Sequence, residues 1–472
     1  MSKTIHFVSL GCPKNRVDTE VMLGVAQRAG YSHTSDASEA EVIVVNTCGF
    51  IDAAKKESID TILELSEHKK DGACRKLVVA GCLSQRYAGD LAKDLPEVDH
   101  FLGSSDMLKL GAALDGGAER VLVGNPADWV VSAADPRLVS TRGASAYLKL
   151  AEGCNRKCSF CVIPQIRGKQ RSRRSDDVVE EARRLVDAGV LELNLVSQDT
   201  VAYGRDLDAP VRLADVVRRV ADVPGVRWVR IFYLYPEKLD DALVDLLANH
   251  PRVVPYVDMP LQHAADAMLR RMRRGNGGKR HREVVERLRK AVPGLFFRTA
   301  FIVGHPGESD AEFAELHDFV RWAEFDRVGV FHYSDEPTSH SFTLGEKVPR
   351  KTALSRAREL MKLQRAISKQ KNRALVGKTL DVLVEGPSEE SELVFVGRHA
   401  GQAPEIDGVV FLSGGEVRPG QMRSVTIQRA TDYDLLGEVA DDEDAAPRVA
   451  ASAPSLVHRP SDGRRVVLRT IS

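Results

Sequence analysis

The stretch Ala151 to Pro164, AEGCNRKCSFCVIP, carries three cysteines in a Cys-x3-Cys-x2-Cys spacing, Cys154, Cys158 and Cys161, directly after the apolar run Tyr147 to Leu150. A loop that leaves a strand with thiols this close together can wrap one cuboidal iron–sulfur cluster. A four-iron cluster takes four thiolates and this loop supplies three, so one iron is left open. S-adenosylmethionine can chelate that iron through its amino and carboxylate groups, which puts its sulfonium within reach of an electron and yields a carbon radical. Tight cysteine pairs also make zinc sites, with a distant histidine completing the tetrahedron, but the loop itself contains no His.

Downstream of that loop, apolar runs recur at Leu191 to Val196, Trp228 to Leu234, Val253 to Val257, Leu295 to Ile302 and Arg327 to Phe331. Helical patterns such as Ser175 to Ala188 and Ser309 to Ala323 separate them. With Tyr147 to Leu150 this makes six βα units, a parallel barrel two units short of the closed eight, with a lateral cleft for a large substrate. The cysteine loop sits at its mouth, where the spacing resembles that of the radical S-adenosylmethionine superfamily.

Upstream, the runs Ile5 to Leu10, Val42 to Val45 and Leu77 to Ala80 read as strands of a small parallel α/β domain. Each ends just before a cysteine, in LGCPKN (Cys12), NTCGF (Cys48) and AGCLSQ (Cys82). Open α/β sheets build sites at the carboxyl ends of strands. Free cysteines are often just small buried residues, but three at successive strand ends are better explained as ligands of a second cluster, again with an open iron on which an exogenous or methylated sulfur can sit. Cys74, in the polar stretch KKDGACRK, reads as an ordinary free thiol.

The 472 residues exceed one ordinary core. We expect an N-terminal α/β domain over 1–114, a Gly-, Ala-, Asp- and Pro-rich linker over 115–142 and the partial barrel over 143–374. A small antiparallel β-barrel over 375–440 and a disordered tail over 441–472, which opens with DDED, complete the chain. The last barrel is read from four runs, Leu380 to Val384, Leu393 to Val396, Val409 to Leu412 and Ser424 to Arg429, after a Lys- and Arg-studded helix near Thr352 to Lys371. No signal peptide pattern opens the chain and no run of about 18 apolar residues occurs, so a cytoplasmic location without membrane partners is expected. Seven cysteines in such a chain point to metal or catalysis rather than disulfides.

This three-part layout, matching from Thr4 to Glu438, resembles the methylthiotransferases, whose pattern is a three-Cys domain, a radical S-adenosylmethionine barrel and a C-terminal TRAM barrel. The segments LGCPKNRVDTE, IRGKQRSRR (Ile166 to Arg174) and APEIDG (Ala403 to Gly408) are similar to the RimO type, whose members modify an aspartate of a small-subunit ribosomal protein. The resemblance implies two [4Fe-4S] clusters, an auxiliary one on Cys12, Cys48 and Cys82 and a radical-generating one on Cys154, Cys158 and Cys161. It also implies two molecules of S-adenosylmethionine, one a methyl donor to sulfur and one the source of a 5′-deoxyadenosyl radical that takes hydrogen from the aspartate β-carbon to give 3-methylthioaspartate. A sulfur donor and an electron donor are further partners.

Other strand ends offer polar groups for the cofactor: Ser197, Gln198 and Asp199 in LVSQDT, Gln262 and His263 in MPLQH, and Arg298 and Thr299 in FFRTAFIVGHPGE. Gln198, His263, Arg298 and Thr299 are the S-adenosylmethionine candidates, though turn or cap roles serve each equally well.

The alternative substrate is an adenosine of transfer RNA, which relatives with this layout modify. Net charge over the whole chain is +0, but residues 377–440 hold five basic residues against eleven acidic ones. Such a surface suits a basic ribosomal protein and repels phosphate, so transfer RNA is not expected as partner. The basic run Arg167, Lys169, Arg171, Arg173, Arg174 and the stretch RMRRGNGGKRHR (Arg271 to Arg282) read as solvated faces, or as contacts to ribosomal RNA if the substrate is presented on a ribosomal particle. A non-catalytic, metal-stabilised or redox-sensing protein is the remaining alternative.

Overall fold

The computed structural model describes residues 3–440 except 238, 276 and 389. The tail from 441, expected to be disordered, lies outside the described residues.

Six parallel strands form the first sheet: β1 (Lys3–Ser9), β2 (Tyr31–His33), β3 (Val42–Thr47), β4 (Lys76–Gly81), β5 (His100–Leu102) and β6 (Val121–Leu122), in the order β2-β1-β3-β4-β5-β6. The continuous runs in β3 and β4 are buried on both faces, as parallel strands between helices must be. Because the order turns back at β1, the switch point lies between the carboxyl ends of β1 and β3. Cys12 and Cys48 follow those ends and Cys82 follows β4.

Strand β6 falls inside the segment read as linker, and the chain beyond it is no free spacer. Arg137 is buried there and ion-paired with Glu20 of helix α1 (Pro13–Arg28) at 2.6 Å and with Glu181 of helix Ser175–Asp187. Composition alone missed this, because a Gly- and Pro-rich stretch with buried anchors looks the same as one without.

The second sheet holds β7 (Ser145–Lys149) and, after the short antiparallel ladder of β8 (Ala151–Glu152) with β9 (Arg171–Ser172), continues through β10 (Glu192–Val196), β11 (Trp228–Ile231), β12 (Val253–Asp258), β13 (Phe296–Val303) and β14 (Arg327–His332). All six are parallel in the order β14-β13-β12-β11-β10-β7, and β7 and β14 do not pair, so the barrel is open as expected. One face packs on the surrounding helices. The other, carrying Tyr147, Phe232 and Tyr256, shares a core with α1 and with Leu383 and Ala403 of the C-terminal unit.

That unit is a closed five-stranded barrel of β15 (Thr379–Pro387), β16 (Phe395–His399), β17 (Val410–Ser413), β18 (Met422–Ala430) and β19 (Leu435–Val439). The fifth strand, in DLLGEV, was not foreseen. Its hairpin with β18 lays it parallel to β17, so the barrel is not purely antiparallel.

The loop after β16 reaches into the open barrel. Tyr147 Oη donates to Glu405 at 3.2 Å, Tyr256 Oη to Asp407 at 2.7 Å, and Arg230 to the Ala400 carbonyl at 2.9 Å. Beneath them Glu192 of β10 accepts from Arg230 at 3.0 Å and from Arg398 of β16 at 2.5 Å, all three fully buried. Burial alone would push the Glu192 carboxyl up, but the Arg398 and Arg230 guanidiniums hold it down at about 2. On the opposite side Glu336, 1% exposed, takes Lys55 and Arg86 of the N-terminal domain, each at 3.0 Å. Among the described residues no helix is long and apolar enough to cross a membrane.

Replacing Glu192 with Ala leaves the buried Arg230 guanidinium without a carboxylate and Arg398 with Glu385 alone, and the thermal unfolding transition should fall by an amount equivalent to about 3–5 kcal/mol. The carboxylate's contribution is complete above its unfolded value of 4.5 and is lost as pH falls toward about 2, so the wild-type and Glu192→Ala stabilities should converge across that window. Equal stabilities at neutral pH would refute the assignment.

Candidate active site

Six of the seven cysteines gather as two triads. Gly11 and Gly81, immediately before Cys12 and Cys82, have φ of +94° and +98°, so the chain turns sharply off each strand. A Cβ on Gly11 would lie 2.9 Å from Cys48 Cβ and 3.3 Å from its Sγ. That contact brings the end of β1 against the thiol that follows β3. Asn15 fixes the same two ends by donating to the carbonyls of Leu10 (3.0 Å) and Thr47 (2.9 Å). Cys82 begins helix Cys82–Asp94, and its Sγ accepts from Arg167 at 3.3 Å. The three thiols lie close enough that each charge would oppose the others: Cys82 and Cys12, after burial, push the Cys48 thiol far up, and burial followed by Cys12 raises Cys82 despite the Arg167 guanidinium.

The second triad fills the loop closed at its base by β8 and β9. Gly153 has φ +79°, and a Cβ there would meet the Lys169 carbonyl at 2.2 Å. The loop folds back so that Cys154 N–H donates to the Gly168 carbonyl at 3.1 Å. Its sulfurs collect donors. The Arg156 N–H points at Cys154 Sγ (3.4 Å), the Ile163 N–H at Cys161 Sγ (3.5 Å) and Arg274 Nη1 at Cys158 Sγ (3.7 Å), while Tyr235 Oη is hydrogen-bonded to Cys158 Sγ at 3.0 Å. The Tyr235 ring lies between two guanidiniums, those of Arg156 and Arg274, each 3.8 Å from its centroid. Burial pushes the Cys154 thiol up to about 11 and raises Cys158 and Cys161 as well. These thiols ionise at neutral pH only when a cation replaces their protons.

A buried ionic seam joins the triads. Lys149 donates to Asp18 (2.5 Å) and Glu152 (2.7 Å), and Arg167 to Asp18 (2.7 Å), Glu152 (3.3 Å) and Asn15. Burial alone would raise the Glu152 carboxyl, but Lys149 and Arg167 hold it well below the usual carboxylate range. Arg167, 2% exposed, and Arg173, 4% exposed, come from the run read as a solvated face, and Arg274, also 4% exposed, from the second such run. For these three the reading is corrected, since their charges are internal and met by carboxylates or sulfurs, whereas Lys169, Arg174, Arg273, Lys279 and Arg280 are exposed.

The donor sets fit iron–sulfur clusters. Each consists of sulfur alone, with N–H or O–H groups aimed at the sulfurs, the hydrogen bonds that tune such clusters. Among the described residues no three His, Cys, Asp or Glu side chains close around one point as a single bound ion would require. Cys74 is free and buried, packed in the core of the first sheet with Ile62 and Leu65.

Of the four S-adenosylmethionine candidates, Gln198 alone adjoins a triad. Its Nε2 donates to Glu152, two residues before Cys154, and its Oε1 is buried without a partner among the described residues. His263 is fully buried, hydrogen-bonded to Glu308 (3.1 Å) and accepting from the Ala265 N–H. Arg298 and Thr299 are not at a strand's carboxyl end. They lie within β13, which runs on to Val303, with Arg298 paired to Asp258 at 2.8 Å and Thr299 donating to the Met259 carbonyl. The run reads straight through as strand, so its end could not be placed from the motif. Asp199 pairs with Arg156 at 2.6 Å and Ser197 is hydrogen-bonded to Thr200. Lys14, Arg156, Tyr235 and Arg274 were missed, although FYLYP, directly after β11, offered a strand-end signal.

Residues 4–103 match the family model described as uncharacterized protein family UPF0004, 148–320 the radical SAM superfamily and 376–440 the TRAM domain. The chain is 66% identical to the ribosomal protein uS12 methylthiotransferase RimO of Sorangium cellulosum, across 100% of this chain and 98% of that protein. It is 48% identical to the one from Myxococcus xanthus, across 94% of each. Among solved structures, the radical S-adenosylmethionine methyltransferase TsrM of Kitasatospora setae, with cobalamin and a [4Fe-4S] cluster bound, superimposes with a TM-score of 0.53 at 16% identity, over 70% of this chain and 75% of that one, a likeness of fold.

Gly11→Ala should push Cys48 out of line and strain the turn. After anaerobic reconstitution it should hold about half the iron of the wild type, while a matching Gly→Ala change at Gly89, where an added Cβ meets nothing within 4 Å, should hold the full amount. Full iron in the Gly11 variant would show that this turn does not build the triad.

Proposed function

The chain belongs to the family of RimO ribosomal protein uS12 methylthiotransferases, and from that membership we propose how its two triads divide one reaction. The enzyme converts an aspartate of a small-subunit ribosomal protein to 3-methylthioaspartate, using one S-adenosylmethionine as methyl donor and one as radical source. The observation that carries the assignment to this structure is the pair of all-sulfur triads joined by one buried ionic seam, in a chain that matches its relatives from end to end.

Cys154, Cys158 and Cys161 hold the radical-generating cluster, and Cys12, Cys48 and Cys82 the auxiliary one. When bound, the clusters supply the electron for cleaving S-adenosylmethionine and a seat for the transferred sulfur. The protein's own groups do the rest. Tyr235 and Arg274 donate toward Cys158 Sγ and favour its thiolate, and Arg167 does the same for Cys82. Gln198, with its free Oε1 beside Glu152, is the best placed of the four candidates to receive the cofactor's amino group.

Glu152, Asp18, Lys149 and Arg167 fix the two triads relative to each other. Radical chemistry depends on this, since a reactive carbon must meet its sulfur before it meets anything else.

The acidic C-terminal barrel supports a basic protein partner over transfer RNA. Part of its charge is spent internally, as Glu405 pairs with Arg16 and Glu385 with Arg398, but Glu390, Glu392 and Glu416 stay exposed. A sulfur donor, an electron donor and presentation of the substrate on a ribosomal particle complete the reading.

Three enzyme forms test it, each given S-adenosylmethionine, a reductant, and either a uS12 peptide or transfer RNA. The wild type should form 5′-deoxyadenosine and add a methylthio group to the peptide, seen by mass spectrometry. The Cys154, Cys158, Cys161 triple Ala variant should form neither. The Cys12, Cys48, Cys82 triple Ala variant should still form 5′-deoxyadenosine but no methylthio product. Modified transfer RNA with unmodified peptide would overturn the substrate assignment.

A further inference from the structure

Lys14 is a buried cation with no carboxylate of its own among the described residues. It stands two residues after Cys12, is 9% exposed, and holds its Nζ 3.5 Å from the centre of the Tyr233 ring. Among the described residues no carboxylate lies within ion-pair distance of it. Of the neighbouring cations, Arg16 is matched to Glu405 (2.8 Å), Lys149 and Arg167 to Asp18 and Glu152, and Arg156 to Asp199 and Glu237, while Arg274, which among the described residues also reaches no carboxylate, donates to the Pro260 carbonyl and toward Cys158 Sγ. The Lys14 ammonium is hydrogen-bonded to Tyr233 and lies near the Cys12 sulfur, but a buried ammonium that reaches no carboxylate recovers only part of what it loses in leaving water.

The ring that carries Lys14 is itself held in an unusual position. Tyr233 has φ +58°, a region that non-glycine residues rarely enter, and it stays there because Asp258 accepts from its N–H at 3.1 Å and its carbonyl accepts from Thr200. Two residues on, Tyr235 reaches Cys158 Sγ of the other triad. One short segment therefore touches the lysine beside the first triad and a sulfur of the second.

We propose that Lys14 is the carboxylate-binding group of the substrate site: its ammonium takes the side-chain carboxylate of the target aspartate and so sets the adjoining β-carbon between the two triads. This rests on the functional reading above and adds the residue that selects the substrate's chemistry. A carboxylate completes the missing ion pair. An asparagine amide, or a nucleobase, brings no such charge, so specificity arises from a cation to which the fold gives no carboxylate. The competing use of that charge, neutralising the thiolates of the adjacent triad, predicts lost iron rather than a changed preference.

The test uses full-length reconstituted enzyme with S-adenosylmethionine and two labelled uS12 peptides, one with the target aspartate and one with asparagine in its place, their affinities read by fluorescence anisotropy without turnover. The wild type should prefer the aspartate peptide. Lys14→Met should weaken that peptide roughly 10- to 100-fold, the loss of a hydrogen bond to a charged group, and leave the asparagine peptide nearly unchanged, while Lys14→Arg keeps part of the preference. The proposal fails if Lys14→Met retains the preference, if both peptides weaken equally, or if the variant loses one cluster's iron and sulfide with the preference intact. A wild type that binds with this preference yet never methylthiolates the peptide sinks the functional reading and not this one.

Discussion

The arrangement depends on one buried seam of charge. Asp18, Lys149, Glu152 and Arg167 come from an N-terminal helix, two strands and the end of the cysteine loop, and they are fully or almost fully out of water. Two cations and two carboxylates in one dry seam cancel, and the remaining donors of Arg167 go to Asn15 and Cys82. Removing any one member leaves an unmatched charge in a place where charge is very unfavourable. The two triads are therefore set at a fixed separation by groups that cannot be loosened singly.

The same device seats the C-terminal barrel. Glu192 between Arg230 and Arg398, Asp407 beneath Tyr256, and Glu405 between Arg16 and Tyr147 carry the small barrel's loop into the mouth of the larger one. Glu405 touches both α1 and β7, so it ties all three parts of the chain at one point. A partner bound by the exposed acidic face of the small barrel is thus held by a body rigidly tied to the chamber, not by a swinging appendage.

The two cysteine triads were legible in the sequence because cysteine spacing is short-range information. A Cys-x3-Cys-x2-Cys loop, and three cysteines each one step past an apolar run, mark positions that any parallel α/β arrangement brings to strand ends. The six barrel strands were legible for the same reason. What escaped was long-range. Strands of two or three residues such as β2, β5 and β6 carry too little pattern to see, and the fifth strand of the last barrel is recognisable only by what it pairs with. Arg167, Arg173 and Arg274 were read as surface because basic runs normally are; their partners Asp18, Glu181 and Cys158 lie 149, 8 and 116 residues away, and nothing local marks two of the three. Arg298 and Thr299 were misplaced for a simpler reason, that an eight-residue strand does not announce where it stops.

The pattern of matched and unmatched charge separates scaffold from function here. Where ionic groups are internal and paired, as in the seam and around Glu192, they fix geometry, and their sequence signal is faint because each half of the pair looks ordinary alone. Where a polar group is internal and unmatched, as with the Lys14 ammonium or the Gln198 and Asp199 oxygens, folding by itself gains nothing from it. Beside a triad, such a group is one that a substrate or cofactor can complete. Others lie far from the cysteines, such as Gln364 Oε1 on the long helix Arg350–Arg373 and His399 Nε2 in the small barrel, so it is only those after β10 and at the start of α1, beside the triads, that mark the reactive part of the fold.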